Sequence, residues 1–307
     1  MGSDIVVVGS LNMDMTVKVA RRPNRGETVF GNNFFMSPGG KGANQAYAAR
    51  RLGASVSMIG RVGADVFGEQ LRSNLQRIGV DMSSVEALPG QSSGIALISV
   101  DPEGDNSIIV ALGANESITT ADVRRYEALI RQAKLLMVQL EIPLESVMEA
   151  VEIAHLHKVP VLLDPAPARP LPDELLKMVD YIVPNESEIA ELTGIKVFDE
   201  PSAIRAAAVL MGKGVKNVFS KLGGKGVVVV KPDQTFHVEG YSVEAVDTTA
   251  AGDSFAGAVG AALVAGKDVI EAARFANAVG AIAVTRAGAQ ASMPELAEVE
   301  SFMKQPK

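Results

Sequence analysis

The sequence predicts an α/β fold: a doubly wound, mostly parallel central sheet with helices on both faces, plus a small β-sheet lid. Three observations predict it. Short continuous apolar runs such as Ile5-Val6-Val7-Val8 read as strands buried on both faces of a parallel sheet. From about residue 120, helical and strand patterns alternate, as a parallel sheet with crossover helices requires. Polar residues gather just after the predicted strand ends, where open α/β sheets bind ligands. No linker-like segment, internal repeat or low-complexity region divides the chain, so 1–307 reads as one domain, with the lid formed by approximately 12–38 and 93–112.

Composition narrows the function. Apolar residues make up 47% of the 307, enough for a substantial core without staples. The formal net charge of −7 argues against a nucleic-acid partner, which needs a basic footprint. An anionic substrate therefore requires local cations or helix ends. The absence of cysteine excludes disulfides, Cys-ligated zinc and thiol catalysis. No charged-then-apolar leader precedes the first strand, and no run approaches the ~18 apolar residues of a membrane span. A soluble cytoplasmic protein with no membrane partner is expected.

Taken in order, Ile5–Val8 ends at Gly9-Ser10-Leu11-Asn12-Met13-Asp14, which lacks the G-x-G-x-x-G of a dinucleotide site. Asn12 and Asp14, two apart in extended chain, point the same way; an Asx turn is the structural alternative. Residues 15–37 are too irregular for a helix and read as short strands outside the main sheet. Gly39-Gly40-Lys41-Gly42 then precede an alanine-rich helix closed by Gly53. Glycine permits close backbone approach to a ligand, with Lys41 and Asn44 supplying polar reach, although a plain glycine turn before a core helix reads equally well. A Walker loop is not matched, because Gly rather than Ser or Thr follows Lys41.

Val56–Gly60 reads as a strand and Phe67–Ile78 as an amphipathic helix. Ile95–Val100, the turn 101–105 and Ile108–Ala111 read as a hairpin with apolar residues on both faces. Such a flap is expected to cover the ligand with one face and meet a second subunit with the other, giving a homodimer. Helices are then expected at Thr120–Ala133, Leu144–His157, Glu174–Met178, Glu188–Thr193, Ser202–Met211 and, as the final long one, Asp268–Thr285. Strands are expected at Leu135–Leu140, Val159–Asp164, Tyr181–Pro184, Asn217–Lys221, Val227–Lys231 and Tyr241–Val246. His155, His157 and His237 read as surface or satisfied histidines.

The stretch Val246–Phe255 organises the chemistry. Its turn Ala250-Ala251-Gly252 has almost no side chains and exposes backbone N–H groups where the helix Phe255–Ala265 begins. Asp253 stands beside that anion pocket, which suggests a base working with an oxyanion hole. An ordinary helix cap reads the same way locally. With Asn12, Asp14, Glu141, Asp164, Asn185 and Glu188 at strand ends or helix starts, the pattern is a polar cleft with acceptors for hydroxyls, a phosphate cradle and carboxylates for a divalent ion. That fits phosphoryl transfer to a polyhydroxy substrate.

Two signatures, Gly39–Ala46 and Asp247–Phe255, with Asn185-Glu186-Ser187-Glu188 between them, carry a resemblance. The chain resembles the carbohydrate kinase superfamily of ribokinases, fructokinases and adenosine kinases, from Ile5 to about Ser292. The resemblance implies that Asp253 is the base for the sugar's primary hydroxyl and that Ala250, Ala251, Gly252 and Asp253 form the anion hole. It implies that Asn12, Asp14, Gly40, Lys41, Asn44 and Glu141, with Asp253, hold the sugar. It places the nucleotide at Asn185, Lys221, Gly223, Gly224, Gly226, Gly252 and Asn277, with Glu188 completing an Asn-x-x-Glu motif for magnesium and phosphate. A monovalent cation, usually potassium, would take oxygens of Asp247, Thr249, Ala283, Arg286, Gly288 and Ser292, mostly backbone carbonyls; the loop 285–290 is equally readable as an ordinary turn. ATP, Mg2+ and K+ are thus implied, and the activity implied is transfer to the 5-hydroxyl of D-ribose. Kinases of deoxyribose, fructose or nucleosides, and a non-catalytic sensor on the same fold, are the alternatives. Lys221 departs from the family, where a small hydroxyl residue is common.

Overall fold

The structure is a computed structural model that describes residues 2–102 and 106–304. Strand β1 (Ile5–Val8), buried at all four residues, leads into β2 (Asn12–Val19), β3 (Gly31–Gly39) and helix α1 (Lys41–Arg51). After β4 (Val56–Gly63), α2 (Val66–Arg77) and β5 (Asp81–Leu88) comes the pair β6 (Gly94–Val100) and β7 (Asn106–Ala111). Helices α3 (Thr120–Arg125) and α4 (Glu127–Gln132) precede β8 (Leu135–Val138), α5 (Leu144–Leu156), β9 (Val161–Leu163), α6 (Asp173–Leu176) and β10 (Tyr181–Ile182). The chain continues through α7 (Glu186–Thr193), α8 (Glu200–Gly212), β11 (Asn217–Lys221), β12 (Val227–Lys231) and β13 (Gln234–Val238). It closes with α9 (Ala251–Val264), α10 (Val269–Val284) and α11 (Leu296–Met303).

Nine strands form the main sheet in the order β13-β12-β11-β10-β9-β8-β1-β4-β5. β1 pairs in parallel with both β4 and β8, so the winding reverses between β1 and β8. Among the described residues only β12 runs against the rest, pairing antiparallel with β11 on one side and with the edge strand β13 on the other. One face packs against α1, α2, α9, α10 and α11, the other against α3 to α8, each over its own hydrophobic cluster. The doubly wound, mostly parallel prediction holds. A separate four-stranded sheet, β3-β2-β6-β7, is built from the segments expected to form a lid. β2 leaves the end of β1 after a three-residue link, which roots this small sheet at the reversal point of the large one.

Several local readings need correction. Thr120–Ala133 is two helices, broken at Tyr126, whose N–H turns back to Val123 O at 3.0 Å. Tyr241–Val246 is no strand. β13 already occupies that sheet edge, and Val246 instead donates to Val284 O at 2.7 Å at the end of α10. β5 and β13 were not anticipated because both are edge strands of mixed polarity. α11 follows the helix expected to be last, seating Val299 in the core. The predicted turn 101–105 lies mostly outside the described residues.

Candidate active site

The site is built on loops leaving the C-terminal ends of β1, β8, β9, β10 and β11, joined by the first turns of α1 and α9. Gly40, at φ 88°, lets the chain bring α1 against the β1–β2 link: a Cβ there would lie 2.6 Å from Asn12 N. Glu141, just beyond β8, gathers that link. Its Oε2 accepts from Ser10 Oγ at 2.5 Å, from Lys41 N at 3.0 Å and, weakly, from Asn12 Nδ2 at 3.5 Å. Asp14 shares the face of β2 with Asn12 and is buried beside Gly39. No hydrogen-bond donor among the described residues reaches its carboxylate. Asn12, Asp14, Gly40, Lys41 and Glu141 therefore form one polar cluster, with Asn44 one helical turn further on.

Asp253 sits in the first turn of α9, 6% exposed. Asn44 Nδ2 donates to its Oδ2 at 2.9 Å and Gln45 Nε2 reaches Oδ1 at 3.4 Å, both from α1. The helix starts abruptly because Ala250 adopts the left-handed conformation at φ 56°. Ala251 N donates to Thr248 O at 3.2 Å. The N–H groups of Ala250, Gly252 and Asp253 have no acceptor among the described residues, and they give the turn its anion-binding character.

A cavity of about 500 Å3 opens from this turn. Lys41, Asn185, Glu188, Lys221, Gly223, Gly224, Gly226, Asn277 and the residues Ala250 to Asp253 all line it. Asn185 caps α7: its Oδ1 accepts from Glu188 N at 2.8 Å, while Glu188 Oε2 and Oε1 accept from Asn185 N and Nδ2 at 2.8 and 2.9 Å. Gly226, at φ 96°, has no room for a side chain, since a Cβ would stand 2.1 Å from Val238 O. Asn277 donates to Val238 O at 3.0 Å, fixing the far wall. Asn12, Asp14, Asn44 and Glu141 do not line this cavity. Lys41 and Asp253 join the two compartments.

The Asp247 loop meets the end of α10. Asp247 Oδ1 accepts from Thr249 N at 2.9 Å and its Oδ2 from Gly288 N at 2.8 Å. Ala283 O accepts from Arg286 N at 3.2 Å, and Ser292 is buried, donating to Ala289 O at 2.8 Å. The Arg286 side chain turns away to pair with Glu298.

Residues 3–296 match the pfkB family carbohydrate kinase. The chain belongs to that family. It is 42% identical over 304 residues to a ribokinase of Haemophilus influenzae, covering 99% of each chain. It is 38% identical over 302 residues to a deoxyribokinase of Salmonella typhi, covering 98% of each. It superposes on an Arabidopsis thaliana ribokinase complexed with ribose and ATP with a TM-score of 0.91, at 33% identity and full coverage of both chains.

Four polar residues of this carbohydrate kinase were not singled out from sequence. Asn115 accepts from Leu11 N at 2.9 Å and donates to Asn12 Oδ1 at 2.8 Å, setting the orientation of Asn12. Gln45 bridges Asp253 and Asp164, Gln139 Nε2 donates to Gln45 Oε1 at 2.7 Å, and Gln290 Nε2 donates to Asn44 Oδ1 at 3.0 Å. Buried amides carry no sequence signal on their own; only the adjacency of Gln45 to Asn44 hinted at one of them.

The electrostatics follow from crowding. Burial first, then repulsion from Glu141 and Asp253, push the Asp14 carboxyl up to about 7. Burial acts to lower the Lys41 ammonium, but Asp253, Asp164, Glu141 and Glu188 around it raise it above its ordinary value, so it stays charged. Burial raises Asp164, with Lys221 opposing. Burial acts to raise Asp247 as well, yet its bonds from Thr249 and Gly288 hold it below the ordinary range.

Asp14 gives a pH test. An acid whose folded-state pKa lies above its unfolded value penalises the fold once it ionises. Stability is therefore lost as pH climbs from about 4 to about 7. Asp14→Asn removes that penalty. It should stabilise the free protein by on the order of 1–3 kcal/mol at pH 8 and by less at pH 5. Urea unfolding at the two pH values measures the difference, and an equal or larger gain at pH 5 contradicts the assignment.

Proposed function

We propose that the protein catalyses ATP-dependent phosphorylation of D-ribose at its 5-hydroxyl, giving ribose 5-phosphate and ADP. The observation that carries this reading is the position of Asp253. Its carboxylate stands where the polar cluster meets the glycine-lined cavity, beside N–H groups that have no acceptor among the described residues.

In this reading Asn12, Asp14, Gly40, Lys41, Asn44 and Glu141 hold the pentose, whose hydroxyls supply the donors that Asp14 lacks. Asn185, Lys221, Gly223, Gly224, Gly226 and Asn277 hold the nucleotide. The 5-oxygen attacks the terminal phosphorus in line, its proton passes to Asp253, and the bond to the bridging oxygen breaks to release ADP. The Ala250–Asp253 turn meets the charge on the transferring group through the N–H groups of Ala250, Gly252 and Asp253. Magnesium fits this donor set at Glu188, a hard oxygen ligand facing the cavity. Asn185 steadies both Glu188 oxygens by one hydrogen bond each, so Glu188 would be held ready to bind such an ion. When bound, the ion supplies charge neutralisation on the phosphates. ATP is a cytoplasmic substrate, so the proposal places the protein there.

Asp253→Asn should retain ribose binding but lose about 10²-fold or more in turnover. Near-normal turnover in that variant would remove the base. Deoxyribose is the second reading, favoured by the similarity to the Salmonella enzyme. A coupled ADP-release screen across ribose, deoxyribose, fructose and nucleosides separates the two.

A monovalent cation is proposed at Asp247, Thr249, Ala283, Arg286, Gly288 and Ser292, supported by the bonds that tie Asp247 to Gly288 and Thr249. Turnover should rise when potassium replaces a large organic cation at equal ionic strength; identical rates reject the site.

A homodimer is proposed through the small sheet. Across it Met36, Met15, Leu97 and Ile109 stand in one row, with Met36, Leu97 and Ile109 at 48, 45 and 68% exposure. An exposed apolar row of this kind is costly unless a second copy covers it. Light scattering should return twice the chain mass, and Leu97→Lys should shift it towards the monomer. A wild-type monomer at high concentration ends that proposal.

A further inference from the structure

Lys221 closes β11, where its N–H donates to Pro184 O at 2.9 Å and fixes the strand end. Its side chain is 14% exposed and turns into the cavity. The ammonium lies 3.8 Å from Asp164 Oδ1, close enough for attraction and too far for a hydrogen bond. Asp164 is 2% exposed. Its Oδ2 accepts from Gln45 at 2.8 Å, but its Oδ1 is buried with no hydrogen-bond partner. Buried carboxylate oxygens rarely stand alone, so this one holds something by charge. On its other side the ammonium stands 3.3 Å from the point a Cβ on Gly252 would occupy. The missing side chain of Gly252 makes that room. Three ammonium donors thus sit between a buried carboxyl oxygen and the turn that carries the free Gly252 and Asp253 N–H groups. None of the three has a hydrogen-bond acceptor among the described residues.

We infer that Lys221 touches the transferring phosphoryl group directly as a catalytic cation, and that Asp164 is the residue that positions it over Gly252. The inference rests on the kinase reading above. The glycine turn Gly223–Gly226 follows Lys221 in the chain and serves the inner part of the nucleotide, whereas Gly252 belongs to the reacting end. Lys221 therefore discriminates the terminal phosphate from the inner two. It moves no proton: the bond to the bridging oxygen breaks, the bond to the sugar oxygen forms, and the sugar's proton goes to Asp253. The ammonium offsets charge on the equatorial oxygens throughout.

The test is calorimetric binding of ADP and of a non-hydrolysable ATP analogue with an imido β–γ bridge, both with magnesium, beside steady-state kinetics. Lys221→Met should weaken the triphosphate analogue about tenfold while ADP affinity changes less than about twofold, and kcat should fall about 10²-fold. Lys221→Arg should recover part of the triphosphate affinity, and it carries the test if the Met variant fails to fold. Asp164→Asn should lower kcat in the wild-type background but add little to Lys221→Met, because the two act as one unit. Equal loss of ADP and triphosphate binding in Lys221→Met overturns the contact with the terminal phosphate. Multiplicative effects of the two substitutions, or a changed magnesium requirement in Asp164→Asn alone, overturn the positioning role. A wild-type protein that binds neither nucleotide sinks the kinase reading instead, so the two failures are distinguishable.

Discussion

A carboxylate taken out of water must be met by donors, and Asp253 sets that requirement for the whole molecule. The fold meets it with Asn44 and Gln45, two adjacent amides on α1. Each amide then needs a partner for its own oxygen, found in Gln290 and Gln139. The chain closes on itself through this set, bringing residues near 44, 139, 253 and 290 to one place. Helix α9 has to lie almost against α1 for the amides to reach. Gly257 permits it: a Cβ there would stand 2.6 Å from Ala48 Cβ and 2.8 Å from Gln45 O. The run of small residues in α9 is thus the packing consequence of one buried charge.

The same region gathers Asp14, Glu141, Asp164, Glu188 and Asp253 around Lys41, in a chain of net charge −7. Such a cleft repels anions at long range, yet it suits a polyanion held at short range by backbone N–H groups and two lysines. The sugar side asks for the opposite chemistry. Asp14 has no donor among the described residues and is raised to about 7 by burial and then by Glu141 and Asp253, so on the proposed reading a ligand rich in hydroxyls would supply what the protein leaves out. The two compartments differ in the charge they accept, and Lys41 and Asp253 stand on the border between them.

Much of this was legible in the sequence. The buried strands announced themselves as apolar runs, and Asn12, Asp14, Glu141, Asn185 and Asp253 could be placed because a parallel sheet sends its strand ends to one edge. The glycine turns were legible because close backbone approach leaves few other choices. The failures have physical causes as well. Tyr241–Val246 has a strand's composition, but a strand needs a free edge, and β13 had taken it. Thr120–Ala133 has helical periodicity throughout, yet the break at Tyr126 reflects tertiary packing rather than propensity. Asn115, Gln139 and Gln290 were invisible because a buried amide is recognisable only by the partner it reaches across the fold.

Asn115 shows how the small sheet is bound to the chemistry. It grips Leu11 through backbone and Asn12 through side chain, at the point where β1 becomes β2. Gly94, at the start of β6, is pressed against the same two amides, with no space for a side chain: a Cβ would meet Asn115 Nδ2 and Asn12 Oδ1 at 2.2 Å. Asp14 is itself a residue of β2. The small sheet therefore cannot shift relative to β1 without carrying Asn12 and Asp14 with it. If the sugar binds as proposed, engaging it and covering the site are one geometric event, because Asn12 and Asp14 belong to the small sheet. On the proposed reading, a hydroxyl held by Asp14 would engage the same sheet that shields Asp253 from water, where it is to meet an alcohol.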